Sequence, residues 1–266
     1  MFRFIDTGEN NGAMNMAIDE ALLIAQHKLG LPPVIRVYKF VPPTLSIGYF
    51  QSMEKEIDIE NCEKLGFGYV RRPTGGRAVL HDKELTYSVT IAYPHSILEM
   101  SLLDSFKFLS QGIIRAIEKL GAKANFSQTE EHEIANPSCF AHPTFSDILI
   151  NGKKVVGSAQ IRNKIGLLQH GAILYRVNID DVFVCFKLDE KQRTKSVEIG
   201  RERISSLSDE IGSEISFDDV KKALREGMQE VLDDEIVEEK ITDKEEEISQ
   251  FLYKNKYNTK EWNFRK

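Results

Sequence analysis

Asp147-Ile148-Leu149-Ile150-Asn151-Gly152-Lys153-Lys154-Val155-Val156-Gly157-Ser158-Ala159-Gln160 is the stretch from which the architecture is read. Two β-rich runs flank Asn-Gly, the pair best suited to the two positive φ angles of a type I′ turn, so the segment predicts an antiparallel hairpin. Past the turn, successive side chains take opposite faces, and Lys153 and Lys154 therefore point opposite ways. One faces solvent. The other faces the packed side, where an ammonium is costly unless it meets a charged ligand or partner. Gly157-Ser158-Ala159 is unusually small for a strand and leaves room beside it. An edge strand with solvated lysines would read the same way.

Working outward, Leu167 to Tyr175 reads as the next strand. Upstream, Leu85 to Ile91 alternates, with Leu85, Tyr87, Val89 and Ile91 on one face and Thr86, Ser88 and Thr90 on the other, the pattern of a half-buried strand. Val34 to Phe40 is a strand by its β-branched and aromatic content; Pro42-Pro43 interrupts it, and Thr44 to Phe50 resumes. Helices are predicted over Asn11 to Gln26 and Ser101 to Leu120 from apolar residues at three- and four-residue spacing. Ser216 with Asp219 and Thr242 with Glu245 have the form of capping boxes in a charged, helical last third. Strands and helices mix without regular βαβ alternation, so the fold class is α+β with a mixed, mainly antiparallel sheet flanked by helices. The expected division is a catalytic domain over 1–210 and a C-terminal helical extension over 211–266 packed on the same domain.

The chain has 266 residues, 41% apolar and 29% charged, the balance of a globular protein. No stretch approaches the length of a membrane span, and Met1 to Asp6 has no basic region leading into an apolar run, so neither a membrane partner nor a secretory signal is expected. Three widely spaced cysteines suit reduced thiols in a cytoplasmic protein. A net charge of −6 speaks against nucleic acid as the main partner.

Three segments carry chemistry. In Arg71-Arg72-Pro73-Thr74-Gly75-Gly76-Arg77-Ala78-Val79-Leu80-His81-Asp82, two glycines let backbone approach a ligand and three arginines offer charge; a Gly-Gly turn with solvated arginines is the plainer alternative. The second segment is the lysine strand. The third, Asn136-Pro137-Ser138-Cys139-Phe140-Ala141-His142-Pro143, is an irregular loop in which prolines bracket a cysteine. Cys62, in an apparent helix from Glu56 to Leu65, and Cys185, in the apolar run Val182 to Phe186, suit core packing. If one of the three is catalytic, Cys139 is the candidate. His132, Cys139 and His142 match no compact metal signature, and no metal is expected.

Taken together, these segments resemble the lipoate–protein ligase and octanoyltransferase superfamily, related to biotin–protein ligases. The resemblance runs from Asn15-Met16-Ala17-Ile18-Asp19-Glu20-Ala21 through Ser46-Ile47-Gly48-Tyr49-Phe50-Gln51, the Arg71 to Tyr87 block, Lys153 to Gln160 and Leu168-Gln169-His170-Gly171 to Glu261-Trp262-Asn263. Within the superfamily the chain is most similar to LipM-type octanoyl-acyl-carrier-protein:protein N-octanoyltransferases. ATP-dependent ligases usually carry a third glycine where Arg77 stands and His-Asp-x-Gly-Asn further on, where this chain has His81-Asp82-Lys83-Glu84-Leu85. Cys139-Phe140 matches the Cys-Phe motif of the LipM type.

The resemblance implies the fold of class II synthetase and biotin ligase catalytic domains. It implies Cys139 as acyl-accepting nucleophile and Lys154 as the ligand-facing lysine. Arg72, Thr74, Gly75, Gly76, Arg77, His81, Gly157, Ser158, Ala159, His170 and Gly171 are the implied substrate-binding positions. The donor would be octanoyl-acyl carrier protein, and the acceptor a lipoyl-carrier domain such as glycine cleavage H protein. No cofactor is expected, because a thioester is already activated. Acyl carrier proteins are acidic, so Arg71, Arg72, Arg77 and Lys153 are candidates for a basic docking patch, with a structural role for the arginines as the equal alternative. The related alternatives are an ATP-dependent lipoate ligase, an octanoyl amidotransferase between carrier domains, and a carrier-binding module without turnover.

Overall fold

The computed structural model describes residues 1–127 and 147–265. Its main sheet has eight strands: β1 (Phe2–Asn10), β2 (Val34–Phe40), β6 (Glu84–Ala92), β7 (Asn125–Phe126), β8 (Asp147–Ile150), β9 (Lys153–Arg162), β10 (Gly166–Leu174) and β11 (Ile236–Glu238). Their spatial order is β11-β1-β2-β6-β10-β9-β8-β7. β1 runs parallel to β11 and β2, and every other pairing in this sheet is antiparallel. A smaller sheet orders β4 (Gly68–Arg71), β3 (Thr44–Ile47) and β5 (Val79–His81). The mixed, mainly antiparallel sheet flanked by helices is the expected class.

Five longer helices accompany the sheets: α1 (Gly12–Leu29), α2 (Leu102–Lys119), α3 (Glu190–Arg203), α4 (Phe217–Leu232) and α5 (Asp243–Leu252). Local chemistry sets their ends. Asn11 caps α1 by accepting from the Met14 N–H, and Gly30 stops it in the left-handed region at φ 66°. Ser216 and Thr242 close capping boxes with Asp219 and Glu245, as the sequence predicts. α2 and α4 cover one sheet face, where Leu85, Tyr87, Val89, Leu167 and Ile173 meet Leu109, Ile113, Val220 and Leu224 in the largest apolar core. Cys62 and Cys185 are buried in a second core beneath the small sheet.

The other face differs from expectation. Thr86, Ser88 and Thr90 are as buried as their apolar neighbours, because α1 lies over them. Their hydroxyls are satisfied from that helix or from β6 itself: Ser88 donates to Asp19 at 2.7 Å, Gln26 donates to Thr90 at 2.6 Å and Thr86 donates to Glu84. An alternating pattern reports two chemically different faces and does not tell solvent from a buried polar layer.

Beyond residue 210 the chain is not wholly helical, since Ile236–Glu238 forms the edge strand beside β1. The last turn folds back on Arg71, whose guanidinium donates to the carbonyls of Gly48, Tyr49, Gln51, Trp262, Asn263 and Arg265 at 2.6–3.1 Å. Arg71 is fully buried, so the expectation that it faces a docking partner is corrected: its charge is spent on carbonyl dipoles that join the Gly48–Gln51 loop to the C-terminal segment. Arg71→Lys retains the charge but not the planar fork. It should lower stability by about 2–3 kcal/mol through stranded carbonyls. Limited proteolysis should then cut first within 253–265; unchanged cleavage there would show that Arg71 does not hold this segment.

Candidate active site

The Asn151-Gly152 turn forms as predicted, with φ of 51° and 81°. Regular alternation from it would put Lys154 on the face of Val156, against α2 and α4. The pairing shows otherwise. Ile148 lies opposite Val156, but Leu149 lies opposite Lys154, so Val155 is an extra residue in β9. This bulge moves Lys154 to the face of Asp147 and Gly157. Lys154 is fully buried there, its ammonium 2.7 Å from the Asp147 carboxylate, while Lys153 is half-buried.

Across β10, Gly157 lies opposite Ala172 and Ala159 opposite His170. Lys154, Gly157, Ala159 and His170 therefore share one face. Ser158 and Gly171 point to the other, where the Tyr87 hydroxyl donates to Ser158 at 2.8 Å. Burial pushes the Tyr87 phenol up to about 12, which keeps it a donor. A methyl on Gly171 would sit 2.5 Å from the Ser158 hydroxyl, so this close crossing of β9 and β10 requires glycine.

The loop from Arg72 to Arg77 lies over the His170 face. Arg72 is buried, which corrects its reading as a surface docking charge. It donates to the carbonyls of Ser46, Gly75 and Arg77 at 3.1, 2.8 and 2.7 Å and to the hydroxyls of Ser46 and Thr74 at 3.2 Å each. From those hydroxyls run two chains of similar build. Thr74 meets His170 at 2.7 Å, and His170 meets Asp19 at 3.3 Å. Ser46 meets His81 at 2.8 Å, and His81 donates to Glu84 at 2.5 Å. The loop is pressed against its neighbour: a methyl on Gly48 would lie 2.0 Å from the Gly76 carbonyl oxygen. A methyl on Gly75 would meet nothing within 4 Å, so that glycine borders open space.

Asp19 anchors the first chain. It accepts from Arg36 at 2.6 Å, Ser88 at 2.7 Å and Tyr38 at 2.9 Å, all buried. Burial alone would raise its carboxyl, but Arg36, then His170 and Ser88, outweigh this and hold it below the ordinary carboxylate value. Burial pulls His170 below its ordinary value despite Asp19. The imidazole is therefore neutral, with Nδ1–H donating to Asp19 and Nε2 accepting the Thr74 hydroxyl.

The structure thus sets Lys154, Gly157, Ala159 and His170 on one sheet face and joins the loop of Thr74, Gly75 and Gly76 to it through His170, while Arg72 ties that loop, with Arg77 at its end, to Ser46 and so to His81. Cys139, like His132 and His142, lies outside the described residues. Among the described residues no three His, Cys, Asp or Glu side chains are grouped to hold a metal, and no helix is long and apolar enough to cross a membrane. The sequence reading assigned no role to Asp19, Arg36, Ser46, Glu84 or Asp147. A signal existed for one of them: Arg36 stands inside the apolar run Val34 to Tyr38, where burial of the strand makes a partner such as Asp19 necessary.

The model of the lipoyl protein ligase A/B catalytic domain matches residues 11–229. The chain belongs to this family. The match spans both halves of the Arg72 network, from Asp19 to His170. The chain is 41% identical to octanoyltransferase LipM of Anoxybacillus flavithermus, over 100% of this chain and 99% of that one. It is 37% identical to octanoyltransferase LipM of Bacillus subtilis, over 100% and 98%. Among solved structures it is similar to the bipartite lipoate protein ligase of Thermoplasma acidophilum, with a TM-score of 0.83 and 30% identity over 99% of this chain and 95% of that one.

A neutral His170 has a direct consequence for stability. The unfolded chain takes up a proton near the ordinary histidine value, about 6.5, while the folded protein resists it. Its contribution is complete above about pH 6.5 and is lost as pH falls through the depressed folded value. His170→Gln, which titrates nowhere in this range, should flatten the decline in melting temperature between pH 7.5 and 5.5. His95 is shifted in the same direction but is present in both proteins, so the difference isolates His170. Equal slopes would mean that the folded state leaves His170 at its ordinary value, and a steeper decline in the variant that His170 is charged there.

Proposed function

We propose that the chain transfers an octanoyl group from octanoyl-acyl carrier protein to the lysine of a lipoyl-carrier domain, such as glycine cleavage H protein, in the cytoplasm and through a thioester on Cys139. What carries the reading is full-length similarity, at 36–41% identity, to proteins named octanoyltransferase LipM. The chain is an acyltransferase on the same ground. The placement of Lys154 and His170 on one sheet face, with His170 under a glycine loop bordering open space, supports an acyl site there.

The chemistry balances without a nucleotide. The Cys139 thiolate adds to the donor carbonyl, the carbon–sulfur bond to the carrier breaks, and the carrier leaves as a thiolate. The acceptor amine, entering deprotonated, then adds to the enzyme thioester. It gives up a proton as the amide forms and the Cys139 thiolate returns. An ammonium at Lys154 would favour the thiolate and the oxyanion of each tetrahedral intermediate. Gly75, Gly157 and Ala159 present little side chain, so a straight acyl chain can lie against backbone. Burying about seven methylenes contributes on the order of 5 kcal/mol, enough for a chain-length preference.

Purified protein, octanoyl-acyl carrier protein and an apo carrier domain are mixed without ATP and followed by intact mass. The carrier domain should gain one octanoyl group, with a transient adduct of the same mass on the enzyme. Cys139→Ala should form neither and keep the wild-type melting temperature. Transfer by Cys139→Ala at near-normal rate would eliminate the thioester. Transfer only when ATP and free acid are supplied would favour the ligase alternative, for which lipoate-protein ligase A bound with ATP, 29% identical, is the structural precedent. Lys154→Arg keeps charge but alters reach, and should slow transfer by about 10²-fold.

A further inference from the structure

We propose that Asp147 is the positioning residue for Lys154: it supplies the counter-charge that allows a buried ammonium at the site and fixes where that ammonium points. The inference deepens the reading above and rests on it in one respect, that Lys154 acts on the acyl group.

The geometry is specific. The Lys154 ammonium and the Asp147 carboxylate are 2.7 Å apart, with side-chain exposures of 0% and 1%. An ammonium taken fully out of water is tolerated only beside an opposite charge. Both ends of the pair are tied by main chain. The Asp147 carbonyl accepts the Ser127 N–H at 2.9 Å, and the residue lies opposite Gly157 in the sheet. The Lys154 carbonyl accepts the Ser205 N–H at 3.0 Å, just beyond the end of α3. The Val155 bulge brings the two side chains to one face; without it Lys154 would point into the apolar core under α2 and α4.

Lysine has a long flexible stem and fixes a charge poorly on its own. Asp147 is short, sits at the first described position of β8 and leaves the carboxylate little freedom. An ammonium has three N–H bonds, so a carboxylate can hold it from one side while it donates to an acyl oxygen from another. Charge balance matters as well. The resting pair is neutral, and the charge of Lys154 is already desolvated and aimed before substrate arrives, which is the condition for electrostatic stabilisation without reorganisation.

The test is a mutant cycle read by single-turnover transfer, with melting temperature and KM for the carrier domain measured alongside. Asp147→Asn keeps the shape and removes the charge. Its transfer rate should fall about 10²-fold, with KM for the carrier domain within twofold of wild type. Asp147→Glu, which restores the charge but displaces it by one methylene, should recover between a tenth and a third of the wild-type rate. The decisive comparison is Lys154→Met against Asp147→Asn/Lys154→Met. If Asp147 acts only through Lys154, the double variant is no slower than Lys154→Met, within twofold. A double variant slower by the product of the two single losses would overturn the proposal, as would Asp147→Asn within threefold of wild type. If Asp147→Asn does not fold, Asp147→Glu takes its place: its loss of rate must disappear in the Lys154→Met background, and a loss that persists there, or no loss at all, overturns the proposal. A wild-type protein inactive with every acyl donor would instead sink the functional reading, and this inference with it.

Discussion

The Arg72 guanidinium donates to three main-chain carbonyls and two hydroxyls from a position that is 6% exposed. Those five contacts reach β3, the Gly75-Gly76 loop and the residue after it. Through Thr74 and Ser46 they also reach two imidazoles and two carboxylates. A planar fork with donors on both edges is what lets one side chain hold a loop and two relays together; a lysine in its place would present a single point of charge. The shape of the glycine loop therefore depends on a cation that the sequence displays beside two others with no mark to distinguish them.

A polar layer of this size inside a protein is sustained only if nearly every member finds a partner. Asp19 shows how that is done here. Four groups from three strands converge on its two oxygens: Arg36 and Tyr38 from β2, Ser88 from β6 and His170 from β10. Removing any one leaves the others with a less compensated charge, so the layer tends to hold or fail as a unit. Such rigidity suits the proposed transfer, in which an already activated acyl donor would ask for positioning more than for strong acids or bases.

The Val155 bulge has an effect beyond its size. Strand pairing has a period of two, so one extra residue exchanges the faces of everything between it and the turn. In this hairpin it takes Lys154 from the face of the apolar core to the face that carries Asp147 and His170. The tight turn fixes the register on one side of the bulge and the long pairing of β9 with β10 fixes it on the other. The displaced residue has no freedom to slip back.

The sequence alone determined the elements with strong local signals. The Asn151-Gly152 turn, the capped starts of α4 and α5 and the mainly antiparallel class all follow from residues within a few positions of one another. It also placed Lys154, Thr74, Gly75, Gly76 and His170 on one list, because their motifs resemble those of the lipoyl protein ligase family. Tertiary structure decided the rest. Arg71 and Arg72 look like surface charges until the C-terminal segment and β3 cover them. Thr86, Ser88 and Thr90 look solvent-facing until α1 lies across them. Lys154 takes its face from a bulge, and its counter-ion from the far strand of the hairpin. In each case the deciding partner is distant in the chain or depends on a register shift of one residue. Local propensity is set by near neighbours, and it carries no information about which surface a folded chain will bury.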